Sequence, residues 1–218
     1  NDFIRTRLTH SIEASALARS LGTAIGQWLI EKEEMNIKQA SELASLLQVA
    51  ALVHDLGNPP FGHYGEDIIR NWFRKWFETQ EFKEINSQVD KELSLTEKEK
   101  KDFINFEGNA QTIRILTKLQ LLNDQYGVNF TYGTLAATMK YPWASDNPMA
   151  DCKGKFGYFQ AEADIIKRIY EYTGLVEGVR HPATFLLEAA DDMAYLCADI
   201  EDAVKKCVIP WEKEYNNI

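Results

Sequence analysis

Apolar residues recur at three- and four-residue spacing along most of the chain, and no stretch alternates strictly enough to be a half-buried strand. The pattern predicts an all-α protein. A first helix is expected from about Leu8 to Ile30, with Leu17, Leu21, Ile25, Trp28 and Leu29 on its inner face. A second, SELASLLQVAALVHD, places Leu43, Leu46, Leu47 and Ala50 on one stripe and is stopped by Gly57, Pro59 and Pro60. Residues 67–106 read as an irregular, charged region around NWFRKWF and KELSLTEKEKKDF, in which Ser94 and Glu97 have the spacing of a capping box. EGNAQTIRILTKLQLL starts a helix at about Asn109, and TYGTLAATMKYP gives a short one ended by Pro142. ASDNPMADCKGKFGYF reads as a loop, and the last long helix is expected over about Pro182 to Lys206. There is no internal repeat, low-complexity tract or linker.

With 218 residues, 45% of them hydrophobic, the chain is long enough to bury a full core, and a single domain over residues 1–218 is expected. No apolar run approaches the roughly 18–20 residues of a membrane span, and NDFIRTRLTH lacks the apolar centre of a signal peptide, which together predict a cytoplasmic protein without a membrane partner. Cys152, Cys197 and Cys207 form no zinc-like spacing, so reduced thiols are expected. The net charge of -9 argues against a surface built to coat nucleic acid. An anionic substrate would need local cations.

Two of the four histidines fall near one another, in ALVHDLGNPPFGHYGE. Helical steps from His10 reach Ala14, Leu17 and Leu21, and steps back from His54 reach Ala50, Leu47 and Leu43, so both imidazoles are placed on apolar faces. For either alone a satisfied core histidine is the ordinary reading. Asp55 changes that, because a carboxylate at the inner end of an apolar helix is costly unless paired or coordinating a metal. Gly57, Asn58 and the two prolines would form a sharp turn that brings His63 and Glu66 back towards the same place.

The last helix adds Asp191, Tyr195 and Asp199 at i, i+4 and i+8, with Glu188 and Asp202 nearby. A solvated acidic face is the ordinary reading of such a stripe. Leu186, Leu187, Ala190, Ala194 and Cys197 leave few positions obviously wet, however, and a carboxylate stripe flanked by apolar residues calls for a cation.

His10, the HD pair at 54–55 and a distant Asp191 resemble the H…HD…D signature of HD-domain metal-dependent phosphohydrolases. More closely, RTRLTHS, HDLGNPPFGHYGE, EGNAQ, KYP and EAADDMAYLCADIEDA resemble, in order and over nearly the whole chain, the deoxyguanosine triphosphate triphosphohydrolase branch. The resemblance implies an HD-domain helical bundle with one divalent metal ion in its core, held by His10, His54, Asp55 and Asp191. Asp192 is the competing ligand, and the family pattern, with the ligand four positions before the tyrosine, favours Asp191. Two imidazoles and two carboxylates suit manganese, magnesium, iron, cobalt or nickel.

The implied reaction is hydrolysis of a deoxynucleoside triphosphate, dGTP above all, to the deoxynucleoside and intact triphosphate. His63 matches the family's catalytic histidine and Glu66 the carboxylate that orients it. Arg7, Lys140, Tyr141 and Lys155 match phosphate contacts, Asn109 an active-site amide, Tyr195 a residue stacked on the sugar and Asp199 an acceptor for its 3'-hydroxyl. The resemblance also implies a homo-oligomer and a single-stranded DNA effector. The chain departs from its relatives in lacking counterparts to their additional N- and C-terminal segments, so it reads as a catalytic core without them. Two alternatives stay open: another HD-domain nucleotide phosphohydrolase, or a noncatalytic module that binds nucleotide or nucleic acid.

Overall fold

The computed structural model describes residues 6–91, 93–119 and 127–210. Ten α-helices run through them: α1 (Arg7–Glu31), α2 (Ile37–Val53), α3 (His63–Glu78), α4 (Gln80–Gln88), α5 (Glu97–Ile104), α6 (Gly108–Arg114), α7 (Tyr132–Thr138), α8 (Pro148–Lys153), α9 (Ala163–Thr173) and α10 (Pro182–Lys205). No strand occurs among the described residues, where a single parallel bridge joins Ala144 to Tyr158. No described helix is long and apolar enough to cross a membrane. The helices fall into two compact units, one of α1, α2 to Leu52 and α10 from Phe185, the other running from Val53 to Thr184.

In the first unit α1 begins with a capping box in which the Thr6 hydroxyl accepts from Thr9 N–H and the Thr9 hydroxyl accepts from Thr6 N–H. Its buried stripe is Ala14, Ser15, Ala18, Gly22 and Gly26, smaller than the leucine face expected from sequence. Leu17, Leu21, Ile25 and Leu29 flank it half-buried, and Trp28 lies 52% exposed rather than inside. Close approach of α2 explains the difference. A Cβ on Gly22 would lie 2.8 Å from the Ala44 Cα, and one on Gly26 would lie 2.8 Å from the Ala40 Cβ. The Ser15 hydroxyl donates to the Gln48 carbonyl across this junction at 2.9 Å. On α10, Cys197 is exposed rather than part of an apolar flank.

The second unit has most of its core where α6, α7 and α9 meet, around Ile113, Leu116, Leu135, Met139, Ile166 and Ile169. A smaller cluster packs Phe156 and Phe159 against Ala110, Trp143 and Ala150. Residues 67–106, expected to be irregular, instead form most of α3, then α4 and α5. Phe73, Phe77, Phe82 and Phe103 pack ring on ring between these helices, and that aromatic seam offsets a surface too charged to show an obvious apolar stripe. The capping box of this region joins Thr96 and Glu99, not Ser94 and Glu97; the Ser94 hydroxyl donates to the Lys91 carbonyl. Short α8 occupies the expected loop, with Asn147 as its cap and Pro148 at its first turn. α9 has no counterpart in the sequence reading. The helix starting near Asn109 is α6, which continues as a π-helical turn over Ile115–Leu119. Gln120 to Leu122 of that expected helix lie outside the described residues.

Asp102 is buried here, accepting from the Ser145 hydroxyl and from Gln160 N–H at 2.9 Å. Burial pushes its carboxyl up to about 6, against hydrogen bonds that pull it down.

Two stability measurements follow. Gly22→Ala should lower the denaturation midpoint by an amount equivalent to about 1–3 kcal/mol, although alanine is the better helix former, because the added methyl meets α2 backbone. For Asp102 the folded state binds the proton more tightly than the unfolded one, so wild type should gain stability as pH falls from about 6 towards 4. The gain is on the order of 2–3 kcal/mol and should be missing from Asp102→Asn, as read by chemical denaturation across that range.

Candidate active site

The residues singled out from the sequence fall in both units. In the first, His10 sits one turn into α1 and faces α10. Its Nε2 lies 3.1 Å from Asp191 Oδ1, with both side chains largely buried. The Tyr195 ring, one helical turn beyond Asp191, packs against the His10 imidazole with centroids 4.5 Å apart. Arg7 precedes His10 by one turn and is exposed, as is Asp199. The i, i+4, i+8 stripe is therefore real, but only its Asp191 end is enclosed.

In the second unit α2 has just ended when the chain reaches His54 and Asp55. His54 Nε2 lies 3.4 Å from Asp55 Oδ1, and the Asn58 amide donates to the same Asp55 oxygen at 2.8 Å. The turn that follows is stapled to α6. Gly57 N–H donates to the Thr112 hydroxyl at 2.9 Å, and that hydroxyl approaches the His54 carbonyl at 3.2 Å. A Cβ on Gly57 would come within 2.1 Å of the Gly108 carbonyl oxygen, so only glycine fits. Phe61 and Gly62 both have positive φ, at 65° and 57°, and Gly62 caps α3.

His63 is the first residue of α3, its side chain 82% exposed, while Glu66 one turn later is buried. Glu66 Oε1 accepts from Gly108 N–H at 2.9 Å, and Oε2 lies 3.9 Å from His63 Nδ1. An accessible imidazole is thus backed by a fixed carboxylate. Lys155, expected at phosphate, has its ammonium 2.9 Å from Glu107 Oε2 and 3.4 Å from Glu66 Oε2. Burial works against this ammonium, but Glu107 and Glu66 outweigh it and hold its pKa above the usual lysine value. Asn109 donates its amide to Glu107 Oε1 at 2.7 Å. Lys140 and Tyr141 follow α7 half-buried, the tyrosine ring 5.8 Å from that of Trp143.

Two residues of this cluster escaped the sequence reading. Glu107 stands in EGNAQ, from which only Asn109 was taken. Arg70, whose Nη2 lies 3.3 Å from Glu66 Oε2, follows Glu66 at helical i+4 spacing, a signal hidden by reading residues 67 onward as irregular.

The contacts at His10 and His54 suit a metal. Two ligands at right angles on one ion, each bonded at about 2.1 Å, lie about 3 Å apart, close to the imidazole-to-carboxylate separations of 3.1 and 3.4 Å. An all-helical chain with an HD pair at a helix end and a second histidine–aspartate pair has the features of an HD domain. The HD domain family matches residues 7–118, just over half of the chain, and the protein belongs to that family. It is similar to a deoxyguanosinetriphosphate triphosphohydrolase-like protein of Listeria monocytogenes, 44% identical over 96% of this chain and 45% of the relative. A protein of the same name from Pseudomonas aeruginosa is 39% identical over 94% of this chain and 45% of its own length. The deoxyguanosinetriphosphate triphosphohydrolase of Yersinia enterocolitica is 31% identical over 100% of this chain and 47% of its own. The chain spans about half the length of these curated relatives.

Lys155→Met should cost about 3 kcal/mol near neutral pH, since it leaves two buried carboxylates with Arg70 as their remaining cation. The stabilisation from Lys155 is complete below its unfolded value of 10.5 and is lost as pH rises through its higher folded value. Denaturation curves for the two proteins should therefore converge above that pH.

Proposed function

We propose that the chain is the HD-domain core, over residues 1–218, of a cytoplasmic metal-dependent nucleotide phosphohydrolase that cleaves deoxynucleoside triphosphates, with dGTP the leading substrate. The observation that carries the reading is the His63–Glu66 pair, an accessible imidazole backed by a buried carboxylate. His10, His54, Asp55 and Asp191 would hold one divalent ion. The donor chemistry supports this: His10 with Asp191 and His54 with Asp55 each bring an imidazole nitrogen and a carboxylate oxygen close together. Manganese, magnesium, iron, cobalt and nickel all suit such a mixed set. When bound, the ion supplies charge neutralisation at phosphate and lowers the pKa of water.

In the reaction a water oxygen forms a bond to the α-phosphorus as the bond from that phosphorus to the 5' oxygen breaks. The products are triphosphate and deoxynucleoside. His63 takes a proton from the attacking water or delivers one to the departing 5' oxygen, and Glu66 orients the ring for that transfer. Arg7, Lys140 and Tyr141 bind the triphosphate, and Asn109 is an active-site amide. Lys155 contributes charge from its place beside Glu66 and Glu107. Tyr195 packs on the deoxyribose, where an added 2'-hydroxyl would clash, and Asp199 accepts from the 3'-hydroxyl. Self-association is part of this reading, supported by exposed Met193, Leu196 and Ile200 along α10. A single-stranded DNA effector remains a proposal from the resemblance alone.

The test is incubation with each of the four deoxynucleoside triphosphates and manganese, with products separated by ion exchange. Inorganic triphosphate with the matching deoxynucleoside is expected. Pyrophosphate or orthophosphate in its place would indicate a different phosphohydrolase, and no cleavage would leave a binding module. His63→Ala should retain the metal while turnover falls by about 10² to 10⁴. His54→Ala and Asp191→Ala should lose bound metal by elemental analysis, and full metal content in both would refute the ligand set.

A further inference from the structure

Behind His63 lies a four-charge cluster that the proton-transfer role alone does not require. Glu66 uses Oε1 on Gly108 N–H at 2.9 Å, which leaves Oε2 to be aimed by other groups. Its Oε2 faces three groups: Arg70 Nη2 at 3.3 Å, Lys155 Nζ at 3.4 Å and His63 Nδ1 at 3.9 Å. Glu107, fully buried, points Oε2 at the same two cations, Lys155 at 2.9 Å and Arg70 at 3.6 Å. Arg70 is held from its other side by the Phe106 carbonyl, which accepts from Nε at 2.7 Å, and by exposed Asp67 at 3.1 Å. Among the described residues, the charged groups around the His63–Glu66 pair are therefore Arg70 and Asp67 from α3, Glu107 from the cap of α6 and Lys155 from the segment after α8. Tyr141 lies close enough to act on Lys155.

A second buried carboxylate is expensive, and helix capping does not demand it, since an exposed serine or aspartate caps as well. Its effect is on charge. With Glu66 alone, Arg70 and Lys155 would leave the region behind the imidazole net positive and oppose proton uptake by His63. With Glu107 the two carboxylates and two cations balance. Resting on the phosphohydrolase reading above, we propose that Arg70 and Glu107 are positioning residues. Arg70 aims Glu66 Oε2 at His63, and Glu107 neutralises the two cations so that the Glu66 charge acts on the imidazole.

The experiment compares wild type, Glu107→Gln, Arg70→Gln, the double variant and Arg70→Lys. The first readout is the NMR titration of the His63 imidazole, assigned by its absence in His63→Ala; the second is the pH profile of kcat/KM for triphosphate release. Glu107→Gln leaves a surplus positive charge, so the His63 midpoint should fall. Arg70→Gln leaves a surplus negative charge, so it should rise. Because His63 is exposed and solvent screens these charges, each shift should be a few tenths of a pH unit to about one. The double variant, neutral again, should return to the wild-type midpoint. Arg70→Lys keeps the charge but loses the fork, so it should keep the midpoint while kcat falls.

Single variants that shift in the same direction, or not at all, would overturn the proposal, as would a double variant that does not return. If a single variant does not fold, the double variant and Arg70→Lys decide: a wild-type midpoint in both supports the proposal and a shift in either refutes it. The titration needs no turnover. A wild type that hydrolyses nothing therefore counts against the proposed reaction and leaves the charge arithmetic to be judged by NMR.

Discussion

Burial of carboxylates is the constraint around which the second unit is organised. Glu66, Asp102, Glu107 and Glu162 all lie inside it, and a charge taken from water without compensation costs several kcal/mol. Each is answered differently. Glu162 is gripped by Arg114, with Lys118 nearby. Glu66 and Glu107 share Arg70 and Lys155. Asp102 has the Ser145 hydroxyl and the Gln160 backbone N–H as donors, and burial outweighs them to raise its carboxyl pKa. The neighbouring helices must hold their relative positions to keep these charges matched, so the polar interior specifies the arrangement as much as the apolar core does.

The geometry at His63 descends from that arrangement through a few close backbone contacts. Gly57 lets the turn after α2 lie directly against α6, and Thr112 ties the two together. Gly108 at the start of α6 in turn presents its N–H to Glu66. The same short span thus places the HD pair and aims the carboxylate behind the imidazole, while left-handed Phe61 and Gly62 turn the chain into α3. Rigid placement of the HD pair and exposure of the His63 imidazole coexist because the glycines and prolines lie between them.

Several elements were legible in the sequence for local reasons. Apolar spacing set α1, α2 and α10 to within a few residues at their ends, and the 57–60 segment follows the end of α2 as expected, whereas α7 ends at Thr138, before the stop expected at Pro142. His10 was legible because it extends an apolar face and Glu66 because one helical turn separates it from His63, whereas Asp191 was singled out from Asp192 by the family resemblance. The reading failed where burial did not follow side-chain size. Trp28 was assigned inward because it is large and apolar, yet the interior of α1 is a stripe of alanine and glycine that admits the α2 backbone. α3 to α5 were missed because their aromatic seam lies among lysines and glutamates.

The sequence by itself determined the helical class, the ligand-type residues and the placement of each at a helix start, end or inner face, since these depend on spacing of three or four residues and on the fixed φ of proline. Only the tertiary structure decided which charges meet. Lys155 and Glu66 are far apart in the chain, as are Arg70 and Glu107, and no local periodicity relates them. Their proximity follows from how α3, α6 and the segment after α8 pack, because inside a protein a carboxylate must find its cation in space rather than along the chain.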